Sequence, residues 1–153
     1  MNKGIRNSRL FSLLVPALGS IMIMGLLWGC TGKRQIIKAG GAYHGWRGQM
    51  VYGLHIPGTR RLESTGIPRG ATRTTGEFFP NALGALRRQM LLNRLRGGTA
   101  AVIVEPVGPE SGTRPIPFDF NRQVRELCDE FGALLIFDEV VTGFRLGLGG
   151  AQG

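Results

Sequence analysis

Two short apolar runs separated by an amphipathic stretch limit the possible folds more than any other feature of this sequence. Thr99 to Val104 reads TAAVIV, and Ala133 to Phe137 reads ALLIF. Continuous apolar runs of this length are expected of strands buried on both faces, the condition found in parallel sheets. Between them, Phe120, Val124, Leu127, Cys128 and Phe131 recur at the spacing of one helical face, which predicts a helix over about Phe118–Phe131 with Gly132 as its stop. Strand, helix and strand in that order imply a right-handed parallel βαβ unit and an α/β fold. Ligands on such sheets sit outside the carboxyl ends of the strands. Glu105 and Asp138 each close one of the runs, so two acids mark the rim where a site is expected.

The rest of the chain fits around this unit. Its 153 residues suffice for one domain with a sizeable core. Gln35 to Ala39 reads as a further strand, ending at Gly40-Gly41. Gly45 to Gly76, rich in Gly, Pro, Thr and Arg, has no sustained periodicity and reads as a long irregular segment. A second helix is expected from Asn81 as its cap, with Leu83, Leu86 and Met90 as an apolar edge extended by Leu91 and Leu95, and Gly97-Gly98 at its end.

The first thirty residues are of another kind. Met1 to Arg9 holds Lys3, Arg6 and Arg9 and no acid, and Leu10 to Gly32 holds no charge. That stretch predicts a hydrophobic N-terminal helix, long enough to span a bilayer and also compatible with a secretory signal. A third possibility is a misplaced start that joins an unrelated translated stretch to the domain. The expected division is therefore 1–30 as a hydrophobic segment and 31–153 as the domain, with a membrane role only if residues 10–28 are a real anchor.

The formal charge is +9, much of it from arginines between Arg60 and Arg96. A solvated basic face accounts for this better than nucleic acid or another polyanion, because no aromatic residues are interleaved for base stacking. Two cysteines, Cys30 and Cys128, make no disulfide framework; Cys128 falls on the apolar face of its helix as a small core residue. The absence of a CxxC or a His/Cys cluster gives no candidate metal site.

The question is what Asp138 pairs with, since a carboxylate at the end of an apolar strand is costly without a cation. LLIFDE has the form of a Walker B strand, which would make the chain an ATPase. That requires a G-x-x-x-x-G-K-[ST] phosphate loop, and the chain has only Gly32-Lys33-Arg34 with Leu27 at the first glycine position. The other cation suited to a buried aspartate is a protonated pyridine nitrogen, as in pyridoxal 5′-phosphate. There the charged ring withdraws electrons from the substrate carbon that loses its proton. Val140, two residues on, would share the side of Asp138 if the strand continued, and could pack on one ring face.

The stretch CDEFGALLIFDEVVTGFRLGLGGAQG resembles the cofactor-binding segment of the class III (subgroup II) pyridoxal-phosphate-dependent aminotransferases of fold type I, a family that includes the glutamate-1-semialdehyde 2,1-aminomutases. AAVIVEP and TGKRQIIKAGGAYHGW match two further segments of that family in the same order, so the resemblance covers about Thr31 to Gly153. It implies a partial large domain of that fold, a parallel-type sheet flanked by helices. By position, Asp138 matches the aspartate on the pyridine nitrogen and Val140 the residue packed on the ring. Tyr43 matches the aromatic residue on the opposite ring face, with His44 beside it, and Glu105 matches the acid of the Glu-Pro motif near the site. His55 matches nothing and is expected in an exposed loop.

The resemblance further implies amino-group transfer through a Schiff base, on a small amino acid or amino-aldehyde substrate, by a cytoplasmic enzyme that is a homodimer at full length. Glu110 is as in many aminotransferases of the class, whereas apolar Val141 is as in the aminomutases, so aminotransferase and aminomutase stay open. The lysines of the chain are Lys3, Lys33 and Lys38. None comes after Asp138, where the family's Schiff-base lysine would lie beyond Gly153, and the phosphate-binding loop would precede Thr31. The implied picture is a fragment with no catalytic lysine of its own and inactive by itself. The alternative is a non-catalytic, membrane-anchored remnant or binding module, or an exported one, resting on the N-terminal segment alone.

Overall fold

The structure is a computed structural model of the chain, and it describes residues 27–51 and 66–152. The expected hydrophobic helix over residues 1–30 falls almost wholly outside the described residues, as does His55. Residues 27–31 form a helical turn. Among the described residues no helix is long and apolar enough to cross a membrane.

Four strands form one sheet: β1 (Gln35–Ala39), β2 (Thr75–Phe78), β3 (Thr99–Val104) and β4 (Leu134–Phe137), in the order β2-β1-β3-β4. Every neighbouring pair is parallel. The expected relation of the two apolar runs therefore holds, with Ala101 opposite Leu134 and Val104 opposite Phe137. Parallel pairing puts all four carboxyl ends on one rim. Helices α1 (Gly48–Val51), α2 (Arg69–Thr72), α3 (Leu83–Arg94), α4 (Pro109–Gly112) and α5 (Phe120–Phe131) supply the connections. A 3₁₀ turn, Gly150–Gln152, comes after β4.

Side chains alternate across a strand, so each strand serves two faces. On one face Ile37, Ala39, Val102 and Val104 pack with Leu86 and Met90 of α3 and with Phe120, Val124 and Cys128 of α5. On the other, Ile36 and Ala101 pack with Leu27 and Met50, joined by Trp28, Ile103, Leu134 and Ile136. Cys128 is the buried core residue expected, and burial pushes its thiol up to about 12. The arginines of α3 are partly used within the fold: Arg87 pairs with Glu130, and Arg87 and Arg94 lie over the Phe131 ring at 5.7 and 4.7 Å.

Several boundaries differ from the sequence reading. The segment expected to be irregular over Gly45–Gly76 holds α1, α2 and the start of β2. The strand Thr75–Phe78 (TGEF) has no apolar run; among the described residues it lies at an edge of the sheet, with only Thr75 and Phe78 buried. Asn81 does not cap α3. Ala82 precedes the helix without a side-chain cap, while Asn81 takes a positive φ of 65° and donates from Nδ2 to the Pro115 carbonyl. The buried edge of α3 is Leu86, Met90 and Asn93, and Leu91 and Leu95 face outward at 45% and 89% exposure. Asn93 turns inward because Nδ2 donates to Thr99 Oγ1 at the start of β3. Helix α5 starts at Phe120 rather than Phe118, which is fully exposed, and Gly132 ends it at φ 59° as expected.

Candidate active site at the carboxyl rim

The rim is built from the segments that leave the strand ends. After β1 the chain turns through Gly40-Gly41, with Ala42 N–H donating back to the Ala39 carbonyl. Tyr43 and His44 come next. Strand β3 lies between β1 and β4, so this segment must cross the end of β3 to reach β4. It does: His44 Nδ1 lies 2.7 Å from Asp138 Oδ2. The His44 side chain is fully buried, and that of Asp138 is 16% exposed.

Asp138 comes directly after the last residue of β4, with its N–H donating to the Val104 carbonyl. Burial alone would push its carboxyl up. The hydrogen bond and charge of His44, together with the Val140 N–H, outweigh burial and hold it below the ordinary carboxylate value. An ionised carboxylate only accepts, so the proton of the shared contact sits on Nδ1, and His44 donates. The second oxygen, Oδ1, accepts the Val140 N–H at 3.1 Å. His44 Nε2 is buried with no hydrogen-bond partner among the described residues.

The strand does not continue to Val140, as the same-side argument required. Strand β4 ends at Phe137, and the chain turns through Asp138 to a Val140 that is 73% exposed. Tyr43 is half-exposed on the same rim. The rim thus brings Tyr43, His44 and Asp138 into one neighbourhood, with Val140 beside Asp138. His44 stands behind the acid rather than alongside Tyr43 at an open surface.

Glu105 lies on the rim between them and is half-buried. Its Oε1 accepts the N–H of Glu110 in α4, which follows the loop that leaves β3. That loop is tight. Gly108 sits at φ 110°, and a Cβ there would lie 2.2 Å from the Arg114 carbonyl oxygen. Glu110 itself has φ 56°. Glu105 therefore shapes the connection to α4.

Two residues escaped the sequence reading. Glu139, the acid next to Asp138, gathers the chain after β4: it accepts from Thr142 Oγ1, the Ala151 N–H and Gln152 Nε2, each at 2.8 Å. Burial opposes its charge, but these donors outweigh it and lower its carboxyl from the ordinary value. Its partners lie 3 to 13 residues away in sequence, so only the folded loop shows the cluster. The other is Lys38, wholly buried in the middle of β1. Its signal was visible, since a lysine interrupts an otherwise apolar QIIKA.

The arrangement of the parallel sheet and its helices is shared with known transaminases. The chain belongs to the class-III aminotransferase family, whose model matches residues 24–152. It is 42% identical over 127 residues to glutamate-1-semialdehyde 2,1-aminomutase 1 of Lachnoclostridium phytofermentans, a match covering 82% of this chain and 29% of that protein. Among solved structures it is similar to an omega-transaminase from Sphaerobacter thermophilus, with a TM-score of 0.74 and 26% identity over 89% of this chain and 32% of that one. It is also similar to a transaminase with PLP bound, at a TM-score of 0.72 and 29% identity over 88% of this chain and 31% of that one. The chain thus spans about three tenths of the length of these relatives.

Proposed function

We propose that this chain forms the part of a pyridoxal-phosphate-dependent amino-group transferase that grips the cofactor ring at its nitrogen. The observation that carries the reading is the Asp138 carboxylate, held ionised at the end of β4 with His44 behind it. Each carboxylate oxygen has two lone pairs, and the bonds from His44 and Val140 leave acceptor capacity for a pyridinium N–H. The donor set therefore fits the group. When bound, the cofactor supplies an electron sink for the carbon that loses a proton. Asp138 keeps the ring nitrogen protonated by holding its own negative charge at that edge, and His44 keeps Asp138 ionised and aimed. Tyr43 and Val140, both exposed on the rim, offer flat and apolar surfaces to the two ring faces. Glu105 acts through the loop it braces.

The family and the relatives' names support an amino acid or amino-aldehyde as substrate in the whole protein, and a cytoplasmic homodimer is the working form we propose for it. Exposed Trp46, Phe118 and Leu148 are apolar surface for further protein to cover. Aminotransferase and aminomutase are both consistent with Glu110 and Val141. The test is pyridoxal 5′-phosphate binding by calorimetry. Asp138→Ala should weaken it at least tenfold, and His44→Ala less. Equal affinity in the Asp138→Ala chain would reject the reading.

A further inference from the structure

Strand β1 carries an ammonium group through the middle of the sheet. Lys38 is 0% exposed, and its Nζ donates to the carbonyl oxygens of Ala42 at 2.5 Å and Met50 at 3.0 Å. Lys38 is paired in register with Glu77 on β2 and with Ile103 on β3. Glu105 lies two residues beyond Ile103, on the same face by alternation. Burial drives the ammonium down to about 8, against the pull of Glu77 and Glu105, which favour its charged form. An aliphatic side chain would fill the same space without that cost, so the charge calls for an explanation.

The two carbonyls supply one. Ala42 immediately precedes Tyr43 and His44, and Met50 sits in α1 at the far end of the same segment. One ammonium, fixed on the sheet, ties both ends of the segment that crosses β3 to reach Asp138. We propose that Lys38 is a positioning residue, whose ammonium clamps the 42–50 segment over the strand ends and so delivers His44 to Asp138. Glu77 and Glu105 flank the clamp and keep it charged. The importance of this clamp to the cofactor rests on the function proposed above, whereas the clamp itself does not.

The test uses the His44 imidazole as its own reporter. The chain has two histidines, so His55→Gln leaves His44 alone. An imidazole Nδ1–H donated to a buried carboxylate gives a downfield proton resonance that exchanges slowly with water. In the His55→Gln chain this resonance should be present. Adding Lys38→Met should abolish it or speed its exchange at least tenfold, while the amide resonances of Val102 and Val124 stay in place. Lys38→Met/Glu77→Gln, which removes the facing carboxylate as well, should behave alike and is the second variant if the first does not fold. A wild-type His44 resonance in either folded variant overturns the proposal. So does failure of both to fold, which would make Lys38 a requirement of the core rather than a clamp on one segment. Pyridoxal 5′-phosphate titration of the same variants separates the two readings. Loss of the resonance with unchanged cofactor affinity supports the clamp and removes the His44–Asp138 pair from the cofactor site.

Discussion

The two faces of the sheet use the same strands for opposite ends. Under α3 and α5, Ile37, Ala39, Val102 and Val104 are at most 3% exposed and entirely apolar. One residue over in register, the other face mixes Ile36 and Ala101 with the buried ammonium of Lys38, and it runs out onto Glu105 and Asp138 at the rim. A one-residue shift would exchange these faces completely, so register alone separates the stabilising surface from the chemical one. The dry face can be strong because it does nothing else. The polar face carries buried charge whose cost the dry face must offset.

The sharpest break of this contrast is on the dry face. Leu86 is 0% exposed in its core. Leu86→Ala should cost about 2–5 kcal/mol through lost burial and the cavity left behind. Urea unfolding of the chain measures it, and the His44–Asp138 contact should survive in the folded fraction. A loss under about 1 kcal/mol would mean that this face is looser than described.

On the polar face the corresponding handle is pH. Lys38 falls from its ordinary 10.5 to about 8 in the folded chain. Between those values the unfolded chain binds the extra proton, so stability should rise with pH across that window. Below it, the full cost of burying the ammonium is present. At ~1.4 kcal/mol per pKa unit, the gain is on the order of 3 kcal/mol. It should show as a divergence of urea midpoints between the wild-type chain and Lys38→Met as pH rises, and parallel curves would show that Lys38 is not desolvated.

The contrast also explains what the sequence could reveal. The dry face was legible because apolar periodicity in α5 and two uninterrupted strands leave little choice of arrangement. Strand β2 was not, since TGEF buries only Thr75 and Phe78 and has no apolar run to mark it. Asn81 was misread because a residue type that often caps helices is equally suited to a left-handed turn. At the rim, the acids at strand ends could be located from topology. The partnership of His44 with Asp138 could not, because 94 residues separate them and only the crossing of the 42–50 segment over β3 brings them together.

That partnership gives a smaller effect. Removing the charge with Asp138→Asn should cost about 2 kcal/mol near neutral pH, the range for a hydrogen bond to a charged group. The native carboxyl is held below its ordinary 3.8, so its contribution is complete above that value and is lost as pH falls through the lower native one. The wild-type chain should therefore lose more stability than Asp138→Asn between about pH 6 and about pH 3. Equal losses in both would show that His44 does not hold the acid.

The smallest effect lies at the opposite rim, where a half-buried lysine again meets two carbonyls. Lys33 Nζ donates to the Phe131 and Gly132 carbonyl oxygens at 2.7 and 2.6 Å, closing the end of α5. Gly132 is left-handed at φ 59°, and a Cβ there would sit 3.1 Å from Lys33 Nζ. Gly132→Ala should cost about 1–2 kcal/mol for the backbone conformation. Lys33→Met should cost about 1 kcal/mol for its net hydrogen bonding, less than Lys38 because the ammonium stays partly in water. The close approach predicts that these costs do not add. The new methyl already pushes the flexible ammonium off its carbonyls, so the double variant should lose less than the two single variants together. Urea midpoints of the four chains measure this. Additivity within about 0.5 kcal/mol would mean that Lys33 yields without losing its bonds, and that the half-buried lysine is a looser tie than its fully buried counterpart in β1.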